Sequence, residues 1–236
     1  MFPIRDTIPS RRYPVVNVLL ICANVVVFLY EVSLGPRLEE FIATYGFVPA
    51  ALSSLPALPF SAWPGVLLTV FTSMFIHGGW VHLIGNMWFL WIFGDNVEDR
   101  MGHGRYLVFY LLCGVTATMT QALINPFSDV PMVGASGAIS GVLGAYMLLF
   151  PHSTVVTLVP LFFFVHLVEI PAFFFLGFWA LIQFLQGIST LPYAHLIKGG
   201  VAWWAHLGGF ICGMILAKPF SERRGYPKGR TDLWPF

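Results

Sequence analysis

Six stretches of this chain are apolar for long enough to be helices inside a membrane: residues 15–34, 79–93, 106–124, 136–150, 170–187 and 199–217. No other feature restricts the fold so far. A hydrocarbon core ~30 Å thick admits only backbone whose polar groups are paired internally, as helices of ~20 residues or as closed barrels. Runs 79–93 and 136–150 are short, about 22 Å each as helix, and need help from the segments before them to cross. Composition agrees, with 57% of residues apolar and 10% charged, where soluble domains carry about 25% charged. The chain reads as an all-α polytopic membrane protein, a bundle of six transmembrane helices.

The segments between the runs decide orientation. Residues 35–78 hold Pro49, Pro56, Pro59, Pro64 and Trp63 among many Leu and Phe, the pattern of a membrane-hugging loop. Residues 155–168 are apolar but short and interrupted by Pro160, and are expected to form an interfacial loop. With six spans, one side of the membrane receives ten of the twelve Lys and Arg residues and the other only Arg37 and Lys198. The positive-inside rule then puts both termini in the cytoplasm; a seventh span at 155–168 would put the basic C-terminal segment outside. The expected organisation is a cytoplasmic tail at 1–14, one membrane domain at 15–218 and a second cytoplasmic tail at 219–236. The first run follows Arg11 and Arg12 without a small-residue cleavage pattern, as in a signal anchor that is retained. Short tails and no transit peptide suggest a prokaryotic plasma membrane.

Several function classes drop out. No basic patch interleaves with aromatics, so nucleic acid is not an expected partner. Cys22, Cys113 and Cys212 are odd in number and scattered through apolar runs, which fits neither a disulfide framework nor a zinc site. His77 and His82 are five apart with no Glu between them, unlike the helical HExxH of zinc proteases. Paired aspartates within spans are absent. No metal and no cofactor is expected. A transporter would be expected to show repeat symmetry, and none is visible.

Polar side chains inside spans default to function. His82 and Asn86 lie in the second run, Ser136 in the fourth and His206 in the sixth. Counted from the inner ends at 1.5 Å per residue, Ser136 stands about 21 Å up, and His206 and His82 about 17 Å. One layer therefore holds groups from three spans. Small residues let helix backbones approach in lipid. Gly134, Gly137 and Gly141 around Ser136, and Gly209 and Gly213 after His206, are assigned to helix packing at the site. Packing those faces together brings the Ser136 hydroxyl within reach of an imidazole able to activate it. His82 and Asn86, at i and i+4, share a face and suit an oxyanion hole opening on the outer side. No carboxylate lies near the outer end of these three spans, so a Ser–His dyad is expected.

The segments GASG with Ser136, AHLGGFICG with His206, and HGGWVHLIGNMWFLWIFG with His82 and Asn86 resemble the rhomboid family of intramembrane serine proteases. GDNVEDRMG at 94–102 and VPLFFF at 159–164 are similar to its connecting sequence. The resemblance implies that Ser136 is the nucleophile, His206 the general base and acid, and His82 and Asn86 the oxyanion hole. It also implies partners in transmembrane proteins and the lipid bilayer, with substrate entry beside 171–187 under a flap at 188–200. The alternative is a catalytically silent relative that binds transmembrane clients. Two family features are absent. The Trp-Arg pair of the first loop is replaced by a stretch with Thr69 near the arginine's place. Ser140 stands where some members stack a tyrosine on the histidine, which leaves packing to hold His206.

Overall fold

The computed structural model describes residues 1–161, 164–193 and 199–222. The expected tail beyond residue 222 and positions 194–198 of the expected flap lie outside the described residues. In chain order the elements are β1 (Phe2–Asp6), α1 (Val15–Ser33), α2 (Leu38–Tyr45), α3 (Pro49–Ser53), α4 (Trp63–Thr72), α5 (Trp80–Met101), α6 (His103–Ile124), α7 (Ser136–Leu149), β2 (Thr154–Leu161), β3 (Phe164–Pro171), α8 (Ala172–Thr190) and α9 (Trp203–Phe220).

The molecule is mostly helical, and each of the six apolar runs folds as a helix. Among the described residues, α1, α6 and α8 are long and apolar enough to cross a membrane, and a fourth span results if residues Phe60–Phe75 and α5, bent by 78°, count together. Helix α7 has 14 residues, and all of positions 138–147 are buried, so it meets protein rather than lipid. The outer faces of α1 and α8 expose Leu19, Val26, Phe174 and Leu185. Apolar surface of that extent is covered by lipid in an integral membrane protein. The connection at 35–78 is built from the short helices α2, α3 and α4 rather than irregular chain.

The second run does not stop at Phe93. Its polar continuation stays helical to Met101, because those polar groups have partners inside the bundle. The Glu98 carboxylate accepts the backbone N–H groups of Val16 at 2.9 Å and Asn17 at 2.7 Å, satisfying orphan donors at the start of α1. Asn17 donates to the Leu90 carbonyl and accepts from the Tyr106 hydroxyl. A side chain at Gly94 would collide with Asn17, so α1 and α5 cross where only glycine fits.

The all-α expectation requires correction. Residues 155–168 are not an interfacial loop. They supply most of β2 and β3, an antiparallel pair running from Thr154 opposite Pro171 to Leu161 opposite Phe164. Strand β1, from the segment expected to be a tail, pairs antiparallel with the other edge of β2. The β-branched run Val155-Val156-Thr157 is buried and suits a pleated surface. Pro160 lies past the end of the pairing with β1, where its missing N–H breaks no ladder bond to that strand.

Candidate active site

Helices α7 and α9 approach until backbone meets backbone. A Cβ on Gly209 would stand 2.0 Å from the Gly137 carbonyl oxygen, and one on Gly213 would stand 1.9 Å from that of Gly141. Gly137 and Gly141 face α6 with the same tightness, against Ala117 and Cys113. Only glycine permits this spacing, and it sets Ser136, the first residue of α7, beside His206, one turn into α9. The Ser136 Oγ lies 2.8 Å from His206 Nε2. Both line a cavity of about 310 Å³ that His82, Asn86, Trp179 and Gln183 also border.

The chain enters α7 through an extended segment held at two points. Met132 exchanges backbone hydrogen bonds with Phe47, and Gly134 donates its N–H to the Ser73 carbonyl at 2.9 Å. Gly134 has φ +126°, and a Cβ there would lie 2.7 Å from the His82 ring. This position is therefore closed to other residues twice over, by conformation and by the imidazole that packs on it. As the first residue of a helix, Ser136 also presents one of the orphan N–H groups of an N-terminus.

The tautomers follow from the partners. Gly78 donates its N–H to His82 Nδ1 at 3.4 Å, which leaves the ring proton on Nε2, the atom packed over Gly134. Asn86 Nδ2 lies 3.0 Å from His77 Nε2. An amide nitrogen only donates, so His77 accepts one Asn86 hydrogen and the second is left for the cavity. His206 Nδ1 lies 2.8 Å from Gln183 Oε1, and the rings of Trp179 and Trp203 stand 6.0 and 6.3 Å from the His206 ring.

A family model described as Rhomboid domain matches residues 64–223, more than half of the chain, and that span contains His82, Asn86, Ser136 and His206. The chain belongs to the rhomboid family. It is 33% identical over 135 residues to "Rhomboid protease GluP" of Bacillus subtilis (strain 168), covering 57% of this chain and 24% of that protein. It is 34% identical over 120 residues to "Rhomboid-like protein 11, chloroplastic" of Arabidopsis thaliana, covering 50% and 40%. It is also 30% identical over 178 residues to "Inactive rhomboid protein 1" of Drosophila melanogaster, covering 72% and 11%. The chain spans less than half the length of each of these relatives.

In this rhomboid chain four polar residues, Gln183, Ser140, His77 and Glu31, have partners that the sequence did not indicate. Packing alone does not hold His206, because Gln183 of α8 hydrogen-bonds it. Ser140, where a stacking tyrosine was absent, donates to the Ser136 carbonyl at 2.6 Å. His77, 1% exposed, braces Asn86. Behind it Glu31 of α1, also 1% exposed, accepts the His77 backbone N–H with both carboxylate oxygens at 3.3 and 3.2 Å. The available signal was a polar residue inside a mostly apolar run, which both Glu31 and Gln183 are.

Proposed function

We propose that this protein is an intramembrane serine endopeptidase that cuts transmembrane or membrane-proximal segments of other membrane proteins. One observation carries the reading: a serine hydroxyl at 2.8 Å from an imidazole nitrogen, both on the wall of one cavity between helices of an integral membrane protein. His206 Nε2 takes the Ser136 proton as Oγ bonds to the scissile carbonyl carbon, and the carbonyl electron pair moves onto oxygen. The His82 Nε2–H, the free Asn86 Nδ2–H and the Ser136 N–H are the donors for that oxyanion. His206 then passes its proton to the departing amine as the C–N bond breaks. A water, deprotonated by the same nitrogen, hydrolyses the acyl ester and restores Ser136. Water has to reach Ser136 for this step, and the cavity that Ser136 and His206 both border is its path.

A substrate helix must unwind to expose its peptide bond. Glycine lowers helix stability by ~1 kcal/mol relative to alanine and proline by about 3, so segments carrying them near the cut are preferred. The six helical runs are taken as six spans with both termini cytoplasmic and the cavity opening to the other side, on the strength of the Lys and Arg distribution. The relatives include chloroplast and mitochondrial proteins as well as a bacterial one, so they do not support a prokaryotic plasma membrane over an organelle.

The likeness to a Drosophila protein named inactive favours a second reading, in which the cavity binds transmembrane clients without cutting them. Cleavage of a reporter with a glycine-containing transmembrane segment, in proteoliposomes, separates the two. The protease reading expects the wild type to cut and Ser136→Ala to fold, bind and not cut. Undiminished cleavage by Ser136→Ala removes the assignment of the nucleophile. Binding without cleavage by the wild type supports the second reading.

A further inference from the structure

The base of the proposed reaction has two nitrogens, and only one tautomer works. His206 Nε2 faces Ser136 and must carry a lone pair to accept its proton, so the ring proton has to sit on Nδ1. In triads a carboxylate enforces this. Among the hydrogen bonds described here, His206 makes none to a carboxylate; its ring partners are Ser136 and Gln183.

We infer that Gln183 is the positioning residue that fixes the His206 tautomer, taking the place of a triad carboxylate; the inference rests on the protease reading. A carbonyl oxygen only accepts, so Gln183 Oε1 at 2.8 Å from Nδ1 holds the proton there and leaves Nε2 free. Gln183 is 6% and His206 9% exposed, so little water competes for Nδ1. Trp179, one turn before Gln183 on α8, lies against the same ring, so positions i and i+4 of that helix together set its tilt and its proton. A neutral amide does this without burying a net charge within the membrane, which is costly. The working tautomer therefore depends on α8 being docked, since nucleophile, base and orienting group come from α7, α9 and α8.

Two substitutions in the full chain separate orientation from packing. Gln183→Met keeps volume and loses the acceptor; Gln183→Glu keeps the acceptor and adds charge. The tautomer role expects Gln183→Met to lower kcat by about 10²-fold, the low end of a general base's contribution, with KM unchanged. Its rate of reaction with a fluorophosphonate should fall in parallel, while Gln183→Glu stays within about tenfold of wild type. A packing role expects the reverse order, with Met active and Glu impaired by its buried charge; Gln183→Met within twofold of wild type overturns the inference. If Gln183→Met does not fold, the ¹⁵N spectrum of His206 in the wild type decides. A protonated Nδ1 is expected, and a protonated Nε2 in the resting protein overturns the proposal. A wild type that neither cleaves the reporter nor reacts with the fluorophosphonate rejects the protease reading itself, which is a different outcome from an active wild type with an equally active Met variant.

Discussion

Replacing Gly209 with alanine adds one methyl group where α7 and α9 touch. That Cβ would lie 2.0 Å from the Gly137 carbonyl oxygen, whereas ordinary contact begins at 3.4 Å. The obstacle is backbone, so no rotamer relieves it, and the helices must part locally by roughly 1.4 Å, an overpacking that typically costs about 1–3 kcal/mol. Gly137 follows Ser136 directly and Gly209 lies one turn beyond His206. A displacement of that size between them stretches the 2.8 Å Ser136–His206 contact beyond hydrogen-bonding range. Misplacement by 1 Å costs on the order of 10²-fold in rate. Gly209→Ala is therefore expected to lower kcat on a transmembrane reporter by at least about 10²-fold, with a lowered melting temperature and unchanged helical content. Gly177→Ala is the control: on α8 its Cβ would meet nothing within 4 Å, so activity should hold and the helix should gain up to ~1 kcal/mol. A Gly209→Ala variant with wild-type turnover and melting would refute the claim that glycine contact sets the dyad distance.

Two further predictions concern the polar surroundings. Asn86→Ala should reduce turnover by ~10²–10³, the worth of one oxyanion donor; if His77 acts by fixing the Asn86 amide, His77→Phe should slow the wild type yet add little to Asn86→Ala in a double-mutant cycle, and independent, multiplying losses would contradict that link. At the opposite end of the bundle, burial holds the Asp6 carboxyl up to about 7 from an ordinary 3.8, with the Asp95 charge adding to the rise and the hydrogen bond from Tyr146 opposing it. The folded state then keeps a proton that the unfolded chain releases from about pH 4 upward, so stability falls as pH rises toward 7. Hydrogen exchange in β1, corrected for intrinsic rates, should show protection declining across that window and flat in Asp6→Asn; protection that grows with pH would reverse the sign.

The helical framework was legible because lipid leaves so few options for an apolar run of that length. Helix ends were legible only where polarity and exposure coincide. Asp95, Asn96 and Glu98 look like the start of a loop after Phe93, yet they continue α5 because Asp6, Ile8 and the first turn of α1 lie within reach. The sheet was hidden for a different reason: β2 finds its partner β1 about 150 residues away in sequence, and Val155–Thr157 alone fits a loop, a strand or a piece of a span. Ser136, His82, Asn86 and His206 stood out through their depth in separate runs. Gln183 did not, because depth does not tell which way a side chain points on a helix that also carries Gln186. His77 and Glu31 act through the break before α5, where helical periodicity has no hold.

Whether Ser136 is an activated nucleophile decides between a cutting and a merely binding site. Treating the purified protein with a fluorophosphonate and mapping the adduct by mass spectrometry measures that directly. The expected result is one stoichiometric adduct on Ser136 that disappears in His206→Ala while the variant keeps its fold. An adduct on another serine, or equal labelling of Ser136 without His206, would contradict the account.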